Sequence, residues 1–249
     1  MKSWDEEIKL QSHSSWHNTL FKAIREMDSS FLKKLDEADD WLPGKSLFLK
    51  SFSIPMNKVS NILVGESPYP RKQSSCGYCF YDKDVKQIWD EKGCIAKKAN
   101  KATSLRNFLK MLMVARGDLQ ATHTGKDDIR TVSKDGYIQT AEELFINKMV
   151  KENGFLLLNL SLSLIGTIKK EKEAIFWLPF MKVVFDDLSL INSKRNLILF
   201  GKVAKTVSDL ESTKALNNVI AEHPYNISFI GNADVIKFFK DMDLLKKSN

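Results

Sequence analysis

Cysteine is scarce: Cys76, Cys79 and Cys94 are the only three in 249 residues. So small an odd number argues against a disulfide framework and suits a reducing, intracellular setting. Long apolar runs are missing as well. None approaches the roughly 18 residues that a membrane span needs, so no membrane association is expected. No repeat, low-complexity tract or linker interrupts the chain, which reads as a single domain over 1–249. Residues 1–14, "MKSWDEEIKLQSHS", are expected to be poorly ordered, and their acidic, polar character is not that of a secretory signal. Metal-ligand sets are thin. Cys76 and Cys79 form a lone C-x-x-C that Cys94 cannot complete to a four-cysteine site, so buried structural thiols are expected. His13 and His17 stand four apart without a third ligand and read as a solvated face. "GKS" at 44–46 lacks both the first glycine of a phosphate loop, Asp39 standing there, and a preceding strand. No metal or cofactor is expected.

What is present is positive charge and a good supply of apolar residues. Lys and Arg number 38 against 31 Asp and Glu, a net charge of +7, which permits a polyanionic partner. The 43% hydrophobic content supports a full core. Apolar spacing predicts one or two amphipathic helices over 15–38, a helix over 103–117 capped by Thr103 or Ser104, and one from a Thr140 cap to Gly154. Two further helices are predicted, "EAIFWLPFMKVVFDDLSLIN" with Pro179 as a kink or boundary, and a closing one in "NADVIKFFKDMDLLKK". Strands are expected in "VSNILV" (59–64), "FLLLNLSLSL" (155–164), "NLILFG" (196–201) and "NNVIAEHP" (217–224). Residues 118–138 read as a polar surface insertion. Strands alternating with helices argue an α/β domain around a parallel sheet.

In such folds ligands bind beyond the carboxyl ends of the strands. Three of those ends carry unusual chemistry here: "VGESPYP", "LNLSLS" and "HPYNIS". Together they resemble the uracil-DNA glycosylase superfamily, closest to its family 1. The family's G-Q-D-P-Y-H motif and the loop ending in H-G-L-C-F are similar to "GESPYP" and "CGYCF". The interval from Ser67 to Phe80, thirteen residues, is the family's. L-L-L-N is matched by "LLLN" at 156–159, and H-P-S-P-L-S is similar to "HPYNIS" at 223–228. "WLPGKSLFLKSF", "TSLRN" and "LFGKVAK" are weaker echoes, and the resemblance runs from about Trp16 to the end.

The resemblance implies a central four-stranded parallel sheet flanked by helices, DNA as partner, a monomer, and a DNA glycosylase that flips a uracil or modified pyrimidine out of DNA. It implies that Phe80 stacks on the flipped base, Asn159 reads its N3–O4 edge and Tyr69 blocks bulk at C5. His223 hydrogen-bonds O2 of the departing base, Ile227 fills the gap in the stack, and Ser104, Ser228 and Lys202 hold phosphates. Singly, Phe80 and Tyr69 read as core aromatics and Asn159 as a turn residue; in family order they read as a site. Three positions depart from the pattern, with Glu66 for the family's Gln, Ser67 for its catalytic Asp and Pro70 for its His. Ser67 holds a water without supplying charge. Three outcomes stay open: a slow enzyme leaning on His223, a glycosylase redirected to modified bases as in phage DNA, or a catalytically silent DNA-binding homologue.

Overall fold

The computed structural model describes residues 3–192 and 194–248. Four strands, β1 (Asn61–Gly65), β2 (Phe155–Asn159), β3 (Asn196–Phe200) and β4 (Asn217–Ala221), form one parallel sheet in the order β2-β1-β3-β4. Gly65 lies opposite Asn159 in the β1–β2 register, and Val64 opposite Leu199 in β1–β3. Every residue of β1 and β2 is buried, as the unbroken apolar runs require of strands covered on both faces. β4 is the exposed edge. The chain leaves β1 for β2 on one side and reaches β3 on the other, so the sheet has a switch point at β1.

The helices are α1 (Trp4–Gln11), α2 (His17–Arg25), α3 (Ser29–Glu37), α4 (Lys97–Lys101), α5 (Thr103–Arg116), α6 (Lys126–Thr131), α7 (Lys170–Ile191), α8 (Val203–Ser208) and α9 (Ala233–Lys240), with a π-helix over Glu143–Glu152. The sequence reads as one domain; the chain's contacts divide it into two compact units. One comprises Met1–Asp82, Gly154–Leu199 and Val203–Asn218, the other Lys83–Asn153, Phe200–Lys202 and Val219–Asn249.

Several elements differ from expectation for identifiable reasons. The N-terminal segment is helical rather than poorly ordered. Ser3 and Glu6 form a capping box, Ile8 is fully buried, and Gln11 accepts the Leu49 N–H at 3.1 Å. α5 is capped by neither Thr103 nor Ser104, because α4 runs into it and Ala102 takes the cap position without a side-chain bond. Thr140 does cap its helix, exchanging bonds with Glu143, although that helix takes the π form. β2 ends at Asn159, where Ser161 turns the chain by donating to the Ser163 carbonyl at 2.7 Å. α7 runs through Pro179 without a boundary, with Trp177 and Phe180 anchored in the core on either side of it. Residues 118–138 are not wholly superficial. They contain α6, and Ile138 is buried with its N–H on the Leu245 carbonyl at 2.9 Å.

Candidate functional site

In the first unit, two loops leave the ends of β1 and β2 and keep hold of each other. Leu160 N–H donates to the Gly65 carbonyl at 2.8 Å and Ser161 N–H to that of Glu66 at 3.1 Å. The longer loop returns to the sheet through Cys79. Its N–H donates to the Leu157 carbonyl and its Sγ–H to that of Leu63, both at 3.2 Å. Burial pushes the Cys79 thiol well up, so it stays a neutral donor. Cys76 likewise donates to the Tyr81 carbonyl at 3.3 Å. The C-x-x-C pair is a loop lock, as its buried thiols suggest.

Gly65 admits this packing because it has no side chain. A Cβ there would stand 2.7 Å from both Asn159 Oδ1 and Cys79 Cβ. Asn159 is only 4% exposed, yet among the described residues its amide has no hydrogen-bond partner. A buried primary amide without a protein partner is poised for a ligand that offers both a donor and an acceptor. One residue after Cys79, Phe80 is left-handed (φ 59°), and Tyr81 N–H reaches back to the Cys79 carbonyl at 2.7 Å. This is a γ-turn of the rare, strained hand, which persists only where its surroundings enforce it. The Tyr69 hydroxyl supplies one such restraint, donating to the Phe80 carbonyl at 3.2 Å, and burial drives that phenol's pKa upward. Arg71 and Asp82 close the loop with an ion pair at 2.9 Å. On the short segment leaving β1, Glu66 is exposed and Ser67 half-buried.

In the second unit, the chain after β4 forms a tight loop. The Nδ1 of His223 accepts the Tyr225 N–H at 3.1 Å, which leaves the proton of the neutral ring on Nε2 and makes that atom a donor. Gly201 (φ 68°) packs beneath it, where a Cβ would meet His223 Cβ at 2.8 Å. Asn107, buried on α5, donates from Nδ2 to the carbonyls of Pro224 (2.8 Å) and Tyr225 (3.3 Å), so α5 clamps the loop. At the tip, Tyr225 is 67% and Ile227 80% exposed. Ser228 is expected to meet a phosphate, but its hydroxyl lies near the Glu222 carboxylate, which accepts from Asn232 at 2.8 Å. Burial pushes the Glu222 carboxyl up, and these contacts with the bond of its own N–H outweigh it, leaving it below the usual range. Ser104 lies in the uncapped first turn of α5, half-buried, and Lys202 is exposed.

Glu66, Ser67, Tyr69, Phe80 and Asn159 therefore belong to the first unit, and Ser104, Lys202, His223, Ile227 and Ser228 to the second. Sequence reasoning missed Asn107 and Glu222. Asn107 had a signal, an amide on the face of α5 that otherwise carries Leu105, Phe108 and Leu109 inward. Among the described residues no group of three or more His, Cys, Asp or Glu could hold a metal, and no helix is long and apolar enough to cross a membrane.

No family model matches the chain, and no curated protein matches it. Solved structures do. The wild-type UNG of Nitratifractor salsuginis is 33% identical, over 98% of this chain and 96% of that one, with a TM-score of 0.90. Mimivirus uracil-DNA glycosylase, at 16% identity over 90% and 76% of the two chains and a TM-score of 0.56, shares the fold.

Proposed function

The chain belongs to the uracil-DNA glycosylase family, and on that premise we propose that it flips a uracil or related pyrimidine from DNA and hydrolyses its N-glycosidic bond. A base inside a duplex is out of reach, so it must leave the stack and be read on its edge. The observation that carries the reading is the buried, unpartnered amide of Asn159 beside a loop that holds Phe80 in a strained turn. A carboxamide pairs with the N3–H and O4 of uracil, and the Phe80 ring offers a stacking face. Tyr69, fixed through its hydroxyl, is the barrier to a C5 methyl group.

Bond cleavage leaves positive charge on the sugar and negative charge on the base. The Nε2–H of His223 is the donor for base O2, and the tautomer favoured by Tyr225 N–H holds the proton on that atom. Ile227 fills the vacated stack, the usual task of an exposed apolar wedge. Ser104, Lys202 and Ser228 take phosphates. Ser67 holds the attacking water but gives the sugar cation no counter-charge, where one preorganised electrostatic group is typically worth ~10²–10³ in rate. The protein therefore acts slowly, as a monomer inside the cell, without a cofactor.

The neutral Ser67 also favours a second reading, a DNA-binding homologue that does not cut. Purified protein on oligonucleotides bearing uracil or modified pyrimidines, followed by alkaline cleavage, separates the two. Strand breaks at uracil are expected. Breaks only at modified bases redirect the substrate, and none on any substrate leaves the silent binder.

A further inference from the structure

Within the first unit, three ties draw residues 69–76 onto residues 80–82. The Tyr69 hydroxyl donates to the Phe80 carbonyl at 3.2 Å, Cys76 Sγ–H to the Tyr81 carbonyl at 3.3 Å, and Arg71 Nη2–H to Asp82 Oδ2 at 2.9 Å. They differ in strength. The first is longer than the roughly 2.5–3.0 Å usual for an O–H···O bond, and in the second a thiol is a weak donor. The third joins two full charges at normal length, which makes it about twice as strong as a neutral bond. Its carboxylate is 5% exposed, so solvent screens the pair only from the side of Arg71, which is 54% exposed. The arm that carries Tyr69 is also stiff along the chain. Pro70, with its fixed φ, joins Tyr69 to Arg71, and the Arg71 carbonyl accepts the N–H groups of Ser74 and Ser75, both at 3.0 Å.

A wall refuses a substituent only if it does not yield when pressed. Tyr69 leans on one long hydroxyl bond, and its acceptor sits in a left-handed turn (Phe80, φ 59°) that must itself be held. Burial, and then the Asp82 charge, push the Tyr69 phenol up, so the proton that makes this bond stays in place. A group pressing on the ring parts residues 69–71 from residues 80–82, and the ion pair is the strongest of the ties that resist. We propose that the Arg71–Asp82 pair is a brace that sets selectivity at C5 of the base. While it is closed, Tyr69 is rigid and a 5-methyl group is refused; once it is broken, the two arms part and 5-substituted uracils enter. This brace rests on the glycosylase reading in taking Tyr69 as the C5 barrier. Arg71 and Asp82 are positioning residues, acting on the base through Tyr69.

The test is NMR titration of the full chain with free uracil and with thymine, which is 5-methyluracil. It compares the wild type with Arg71→Gln, Asp82→Asn and Arg71→Lys, each checked for an unchanged circular dichroism spectrum. Arg71→Gln changes a half-exposed position, so the test stands even where Asp82→Asn does not fold. One methyl group in a fitted pocket is worth about 10–200-fold in discrimination. The preference for uracil over thymine is expected to fall roughly tenfold in Arg71→Gln and Asp82→Asn, through tighter thymine binding. It should persist in Arg71→Lys, whose ammonium can make the single contact that Arg71 makes. A merely structural pair would weaken both bases alike, so a parallel loss overturns the brace. An unchanged ratio overturns it too, as does a wild type that binds the two bases equally. Uracil binding with an unmoved ratio thus removes the brace alone, whereas no uracil binding by any of the four proteins removes the glycosylase reading and the brace with it.

Discussion

Gly65 and Asn159 share one small volume: a methyl group on the glycine would stand 2.7 Å from the Asn159 amide oxygen. The same methyl would stand 2.7 Å from Cys79 Cβ, so adding it forces the strand end or the returning loop to shift. Gly65→Ala is expected to cost about 1–3 kcal/mol of stability through overpacking. It should also weaken uracil recognition, by displacing the amide. Asn159→Ala should cost a similar ~1–3 kcal/mol in recognition of the base, the worth of a bidentate contact, with little change in melting temperature. Comparing thermal melts with uracil binding for the two variants checks this. A Gly65→Ala protein that melts lower but binds uracil normally would detach Asn159 from the base site.

Asn107 is a positioning residue for His223. Its amide holds the Pro224 and Tyr225 carbonyls, and the Tyr225 N–H sets the imidazole tautomer. Asn107→Leu should cost roughly 1–3 kcal/mol of stability, since buried carbonyls lose their donor. The diagnostic readout is ¹⁵N NMR of the His223 ring. It should move from the Nε2–H form in the wild type to a tautomer mixture in the variant, together with slower base release. An unchanged ring spectrum would reduce Asn107 to a structural role.

Ser67 and His223 are expected to respond oppositely. On the proposed reading, Ser67→Asp places a charge where the sugar cation would form and should raise single-turnover uracil release by up to ~10²-fold, the scale of one electrostatic group. His223→Ala removes the proposed donor to the leaving base and should lower release. If Ser67→Asp instead abolishes a native activity, the serine serves another base or water path.

Glu173 gives a pH signature unconnected with catalysis. It is fully buried against the chain that follows β2, where Ser163 Oγ–H and Ile165 N–H donate to it, and Trp177 Nε1–H donates to Ser163 at 2.9 Å. Burial outweighs those hydrogen bonds and holds its carboxyl above the ordinary range. A carboxyl raised by folding binds protons more tightly in the native chain. Its stabilising contribution is therefore complete below the unfolded value of about 4.3 and lost as pH rises through the native value. In melts of both proteins, the melting temperature of Glu173→Gln minus that of the wild type should climb as pH rises from about 4 and then level off. A difference that stays flat across this range would show that Glu173 does not titrate in this way.

Much of this protein was determined by the sequence on its own, because burial leaves a periodic trace. The unbroken apolar runs of β1, β2 and β3 read as covered strands, and Gly117 stops α5 in a left-handed cap. The strand-end motifs pointed to the family because their order and spacing are themselves a local pattern. Tertiary structure decided the rest. Asn107 meets the Pro224 carbonyl across 117 positions, and Ile138 pairs with Leu245, contacts that local spacing cannot encode. Ser228 reads as a solvated hydroxyl until folding brings the Glu222 carboxylate near it. A side chain's character is fixed by its own chemistry, but its partner is fixed only when distant backbone converges, and function here depends on the partners.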